Sequence, residues 1–175
     1  TKQKVFALEH LQDISLIKRD LVKNISGDEF RIEAYDIAHI SGSSMVGVMT
    51  VVTNATSQKG EYRKFIIKGF TKANDAGALK EILVRRFNHP EWCFPEIIVV
   101  DGGAIQINIA KEVLSSLKLK IPIIAVTKDE RHRPKAVIGP KNIVEAHKYA
   151  ILLANSESHR YAITFHKQRR SKSFK

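Results

Sequence analysis

Three side chains able to bind a hard cation or move a proton stand out: Asp36 in "YDIAHI", Asp101 in "IIVVDGG" and His159 in "ESHRYA". Asp101 follows four β-branched apolar residues, so it closes a buried strand, where an unpaired carboxylate costs several kcal/mol to desolvate. Asp36 shares strand parity with Ile32 and Ala34 and so points to an otherwise apolar face. Taken singly, each acid has a plain reading. Asp36 fits a capping or turn-forming residue, and Asp101 fits the cap of a helix starting near Ala104. Taken together, two converging acids repel, and one stays protonated unless a cation lies between them. Mg²⁺ or Mn²⁺ resolves that conflict, because hard divalent ions favour carboxylate oxygen and water. A helical histidine nearby can act as a ligand or a proton carrier, though a lone histidine also fits surface or core filler.

The elements that must position these groups are legible from periodicity. Residues 31–40 alternate and are rich in strand formers, residues 44–53 follow, and 62–70 return after the polar loop "NATSQKGE" (54–61). These read as three antiparallel strands. From Asp75, apolar residues at Leu79, Ile82, Leu83 and Phe87 form a helical stripe that stops at Pro90. "EIIVV" (96–100) is apolar on both faces, as strands in parallel sheets are. A second helix carries Ile105, Ile109, Val113 and Leu117, and "IPIIAV" (121–126) is a fifth strand. Residues 127–142 read as a loop, and a last helix is predicted around 147–165. A right-handed crossover sets strand 96–100 parallel to the first strand. The prediction is therefore an α/β fold with a five-stranded mixed sheet of order 3-2-1-4-5 flanked by helices. Asp36 and Asp101 then meet at strand C-terminal ends, where α/β sheets hold ligands. Residues 1–24 read as a helical linker segment, 25–166 as the domain and 167–175 as a basic tail.

Charge narrows the partner. Lys and Arg number 29 against 18 acids, a formal net charge of +11 over 175 residues, which suggests a polyanion and, above all, nucleic acid. A divalent cation in such a domain points to phosphodiester chemistry. The basic residues fall into sets. Arg63, Lys64 and Lys68 lie on the third strand, and Lys128, Arg131, Arg133 and Lys135 in the long loop. Arg160 follows the histidine, and Lys167, Arg169, Arg170 and Lys172 form the tail. Each fits a DNA-phosphate contact, with binding that falls steeply with salt, and each also fits plain surface. No run approaches a membrane span, no signal peptide is visible, and single Cys93 excludes an internal disulfide or a multi-cysteine zinc site. These features fit a cytoplasmic protein.

"YDIAHISG", "EYRKFIIKG", "IIVVDGG" and "ESHRYAITFHKQRRSK", in this order and spacing, closely resemble the C-terminal endonuclease half of UvrC, the incision subunit of bacterial nucleotide excision repair. The opening "ALEHLQDI" resembles the segment before that domain, so the likeness covers nearly the whole chain. It implies a ribonuclease H-like fold and an Asp-Asp-His catalytic, metal-binding set, here Asp36, Asp101 and His159. It implies incision of damaged double-stranded DNA 5′ to a lesion, with Mg²⁺ or Mn²⁺. A UvrB-type damage-recognition subunit would be engaged through a full-length protein that also has a second nuclease domain and a helix-hairpin-helix tail. A further acidic position of the family matches Asp75, for which helix N-cap is the favoured role. His39 is expected to order the loop after the first strand, His166 to touch DNA backbone or solvent, and Tyr35 to pack in the core. Glu157 fits either a group behind the site or a salt-bridge partner. Two departures stand out: Ala104-Ile105 where the family commonly has Lys-Gly, and Asn155-Ser156 where it tends to have Arg-Asp. Two other functions compete: a non-catalytic nucleic-acid-binding module with this fold, and a nucleotide-binding domain using "DGG" as a phosphate turn.

Overall fold

The alternation in "RIEAYDIAHI" sorts its side chains onto two faces, and both faces are covered. In the computed structural model, which describes residues 29–40, 44–69, 74–131 and 133–172, this segment is β1 (Arg31–Ile40). Strand β2 (Ser44–Thr53) pairs with it antiparallel, Arg31 opposite Thr53. A turn at Asn54 and Ala55 leads into the two-residue strand β3 (Thr56–Ser57), and β4 (Arg63–Ile66) follows one 3-10 turn later. Both β3 and β4 pair with β2. Helix α1 (Asp75–Phe87) crosses over to β5 (Ile97–Asp101), parallel to β1 with Tyr35 beside Val100. Helix α2 (Ala104–Ser116) crosses to β6 (Ile123–Lys128), parallel to β5. Strand β7 (Pro134–Ile138) returns antiparallel to β6, and helix α3 (Lys141–Lys172) ends the described chain.

The sheet order is β3-β2-β1-β5-β6-β7, with β4 also on β2. The predicted 3-2-1-4-5 order is thus present as β4, β2, β1, β5 and β6. The count rises from five strands to seven for two reasons. Strand β3 is too short to carry a pattern, and β7 is an edge strand opening on a proline and mostly exposed, so neither alternation nor an apolar run marks it. Strand β6 is shifted two residues past the predicted 121–126, because its ladder with β5 and β7 continues beyond the apolar run. The last helix begins at Lys141 rather than 147. It is interrupted at His147 (φ −126°, ψ 18°), whose ring stacks on Phe30 at 4.0 Å. The predicted helical segment 1–24 lies outside the described residues.

Helices α1 and α2 cover one face of the sheet, packing on Tyr35, Met49, Ile98 and Val100. Contact is close: a Cβ on Gly47 would lie 1.9 Å from Ile82 Cδ1. Beneath this layer sits a buried ionic network. Glu33 and Arg86 are both fully buried, with Arg86 Nε 2.9 Å from one Glu33 oxygen and its Nη2 2.8 Å from the other. Arg31 Nε (3.0 Å) and Tyr35 Oη (2.7 Å) also donate to Glu33. Burial pushes the Glu33 carboxyl up, but the two guanidinium groups and the tyrosine hydroxyl outweigh it and hold it low.

Helix α3 covers the other face, against Ile32, Ala34, Ile97, Val99, Ile124 and Val126. Its buried stripe is built from small residues at four-residue spacing, Ala150, Ala154, Ser158 and Ala162. Small side chains let the helix axis approach the sheet, and Thr50 Oγ1 donates to the Ala154 carbonyl at 3.2 Å across that contact. His159 rides on the edge of this stripe.

Candidate metal centre

Strand parity carries the acids to the α3 side. Asp36 continues the Ile32–Ala34 row and Asp101 the Ile97–Val99 row, both of which pack on α3. The β1–β5 register pairs Tyr35 with Val100, so the next step sets Asp36 beside Asp101. From α3, His159 descends onto the same spot. One ligand atom from each of Asp36, Asp101 and His159 lies within 4.8 Å of the other two, the one such grouping of three among the described residues.

The local sequence explains why each group is available. Strand β1 runs on to Ile40, so Asp36 is within the strand and not its terminal turn. One of its oxygens accepts the Ile37 N–H at 2.8 Å, and the other lies 3.3 Å from His159 Nδ1. After Asp101 the chain turns sharply at Gly102, whose φ of +133° would strain any residue with a side chain. Helix α2 is capped by Gly103, whose N–H donates to Gln106 Oε1 at 2.9 Å. The capping alternative for Asp101 is therefore not what the fold uses. Its carboxylate instead accepts from Lys128 Nζ at 2.6 Å.

Lys128 is the residue that periodicity misplaced. Read as part of a phosphate-binding loop, it is the last residue of β6, on the Ile124–Val126 row facing α3. Its ammonium lies 3.0 Å from His159 Nδ1 as well as against Asp101. The signal in the sequence was the continuing parity 124, 126, 128. Burial raises the Asp36 carboxyl above its ordinary value and the charge of Asp101 adds to this, while Lys128 and His159 pull it back. The centre is an anionic pair that draws positive charge.

The other predicted residues disperse. Asp75 is not the cap of α1: Asn74, which holds the non-helical backbone position before the first turn, is, its Oδ1 accepting the Gly77 N–H at 2.9 Å. Asp75 sits in the first turn and pairs with His39 Nε2 at 2.6 Å, apart from the three-residue cluster. Glu157 is a salt-bridge partner, receiving Arg160 through two nitrogens at 2.8 Å each and Tyr62 Oη at 2.6 Å. Arg160, backed by Tyr62, holds the Glu157 carboxyl down at about 2 despite some burial. Burial and that carboxylate push the Tyr62 hydroxyl up to about 12. Arg63 lies opposite Met49 and packs over the Trp92 ring at 5.0 Å, on the α1–α2 face, away from the centre. Lys64 lies opposite Val48, whose neighbours belong to the α3 face. Lys68 is exposed, and Arg131 is exposed in the β6–β7 turn. Helix α3 continues past 167, 169 and 170, whose side chains, like that of His166, lie outside the described residues.

Of the departures from the family pattern, Ile105 is 66% exposed in the first turn of α2. Asn155, one turn before His159, is buried with its Oδ1 unpartnered.

Two carboxylates and an imidazole within a few ångströms suit a hard divalent cation that accepts mixed oxygen and nitrogen ligands. The ammonium already drawn to two of the three groups agrees with that fit. Residues 22–167 match the family described as the UvrC RNAse H endonuclease domain. The chain belongs to that family. It is 34% identical to UvrABC system protein C of Clostridium perfringens (strain SM101), across 98% of this chain and 31% of that protein. It is 40% identical to the corresponding protein of Finegoldia magna, across 83% of this chain and 26% of that one. The chain thus spans about a third or less of the length of these relatives. A solved structure of Endonuclease V from Streptomyces avermitilis superposes with a TM-score of 0.49 at 14% identity, covering 93% of this chain and 94% of that one. As a UvrC endonuclease domain the chain has a ribonuclease H-like fold, whose mixed sheet here carries two short additional strands.

Proposed function

We propose that this UvrC-type domain is a divalent-metal-dependent DNA endonuclease that hydrolyses one phosphodiester bond of the damaged strand, 5′ to a lesion. The observation that carries the reading is the convergence of Asp36, Asp101 and His159 within 4.8 Å, where β5 ends beside the middle of β1. Asp36 and Asp101 would hold Mg²⁺ or Mn²⁺ from the sheet, and His159 would close the centre from α3. When bound, such an ion supplies Lewis-acid polarisation of the phosphodiester and charge to steady the leaving oxygen. The protein's own part is orientation. Main-chain support from Ile37 fixes one Asp36 oxygen, and the Gly102 turn aims Asp101. The small-residue stripe of α3 sets the depth of the imidazole.

The substrate in this reading is damaged double-stranded DNA, brought by a UvrB-type subunit through the full-length protein in the cytoplasm. The net charge of +11 supports a polyanionic substrate. Lys64, Lys68, Arg131 and Arg160, with Lys167, Arg169 and Arg170 of the tail, are the residues proposed to meet phosphates, whereas the Lys128 ammonium is engaged by Asp101. Arg63 is the weakest member of the set, since its guanidinium is engaged on the opposite face. Asp75 keeps a proposed catalytic role only through His39, which it contacts. Among the described residues no helix is long and apolar enough to cross a membrane.

The test is a nicking assay on lesion-bearing duplex with Mg²⁺ or Mn²⁺. Asp36→Asn and Asp101→Asn are each expected to lower cutting at least about a thousandfold, about 4 kcal/mol of transition-state stabilisation. Full activity in both variants would remove the centre from the mechanism, whereas salt-sensitive DNA binding with no metal-dependent cutting in any of the proteins would favour the non-catalytic binding module.

A further inference from the structure

We propose that Lys128 is the internal counter-ion of this centre, competing with the divalent ion for the same lone pairs. The inference rests on the metal-centre reading and adds to it a residue that opposes metal binding. Three observations lead to it. First, the Lys128 side chain is only 14% exposed, and lysine is seldom buried this far without a partner. Second, it ends β6 at a register irregularity between Thr127 and Lys128, opposite Pro134 of β7. The extra residue at that irregularity lies on β7, so Lys128 keeps the parity of Ile124 and Val126 and faces α3.

The third observation is the hydrogen bonding at His159 Nδ1. That nitrogen lies 3.0 Å from the Lys128 ammonium and 3.3 Å from Asp36 Oδ2. An ammonium only donates, so the shorter contact requires a lone pair on Nδ1, whereas a hydrogen bond to the ionised Asp36 carboxylate requires a proton there. The two cannot hold together. The shorter distance assigns Nδ1 as acceptor, with the ring proton on Nε2. Lys128 therefore engages an Asp101 oxygen and an unprotonated imidazole nitrogen, which are the donor types a divalent ion needs. Bringing both acids to one place without a metal is destabilising, and the ammonium offsets that repulsion.

Competition is read directly from metal affinity in the 175-residue chain without DNA. Titration with Mn²⁺, following the free ion by electron paramagnetic resonance, should give a Kd about tenfold lower for Lys128→Met than for wild type, as expected for losing one charge-assisted contact. Lys128→Gln removes the charge while keeping a donor and should tighten Mn²⁺ binding in the same direction. Lys128→Arg keeps the charge and should stay near wild type. A second readout is thermal melting. In chelator, Lys128→Met should melt below wild type, and saturating Mn²⁺ should narrow that gap. Unchanged Mn²⁺ affinity in both neutral variants would overturn the inference while leaving the metal centre standing. Mn²⁺ binding that survives Asp36→Asn, or no binding to any of these proteins, would overturn the metal-centre reading and the inference with it.

Discussion

At the scale of single residues, the same chemical group does different work according to what faces it. Asp36 and Glu157 are both acids on the α3 side of the sheet. Asp36 is pushed toward its protonated form by burial and by Asp101, whereas Glu157 is held ionised by Arg160 and Tyr62. The Glu157 arrangement makes a signed prediction. Its folded value lies below the unfolded one, so its contribution to stability is fully present above the ordinary value of 4.5 and is lost as pH falls toward about 2. Glu157→Gln should cost about 1 kcal/mol near neutral pH, as for a charge-assisted hydrogen-bonded pair at the surface. Denaturant unfolding of the two proteins should show that difference shrinking through the acid range. A difference that stays constant with pH would mean the carboxylate charge contributes nothing. The pairing also bears on Arg160, whose guanidinium must leave Glu157, or carry it along, to meet a phosphate.

At the scale of elements, the turn between β2 and β3 carries strain that the function does not require. Asn54 and Ala55 both have positive φ, 49° and 58°, the conformation of the tight hairpin turn that favours Asn-Gly. Asparagine tolerates it, and alanine does so at a cost of about 1 kcal/mol. Ala55 is exposed, so a glycine there forfeits little burial. Ala55→Gly should therefore stabilise the domain by about 0.5–1 kcal/mol, or roughly 2–4 °C in melting temperature. A lower melting temperature would show that glycine's entropy in the unfolded chain outweighs the relieved strain. This turn was expected as a hairpin loop from its composition. The two-residue strand beyond it was not, because a ladder that short leaves no periodicity. Strand β7 escaped for a related reason: an exposed edge strand has no apolar face to alternate with a polar one. The cost of that miss was Lys128, which became a strand residue only once β7 extended the ladder at the end of β6.

At the scale of the whole molecule, the two faces of the sheet divide stability from chemistry. The α1–α2 face holds the Glu33–Arg86–Arg31 network, and the α3 face holds Asp36, Asp101, Lys128 and His159. Even and odd residues of one strand thus serve separate ends, with Glu33 and Tyr35 below and Asp36 above. Removing the Glu33 carboxylate would leave Arg86 wholly buried without its counter-charge. Glu33→Ala should cost about 3–5 kcal/mol in chemical denaturation, the range for breaking a buried ion pair. A loss below about 1 kcal/mol would mean that water reaches the guanidinium and replaces the carboxylate.

The sequence by itself determined the order of elements, the pairing of β1 with β5 and the meeting of Asp36 with Asp101, although β1 runs on four residues past Asp36. Periodicity and chain connectivity are local properties, and right-handed crossover leaves few ways to assemble them. It also determined the family, through four motifs in fixed order. Only the tertiary structure decided which charged groups meet. Lys128 joined Asp101, Asp75 left the cluster for His39, Glu157 turned to Arg160, and Arg63 went to the far face. Those outcomes depend on where each strand stops, how near α3 lies to the sheet and which long side chains reach one another across elements. Spacing along a chain does not encode distances between elements; packing sets them.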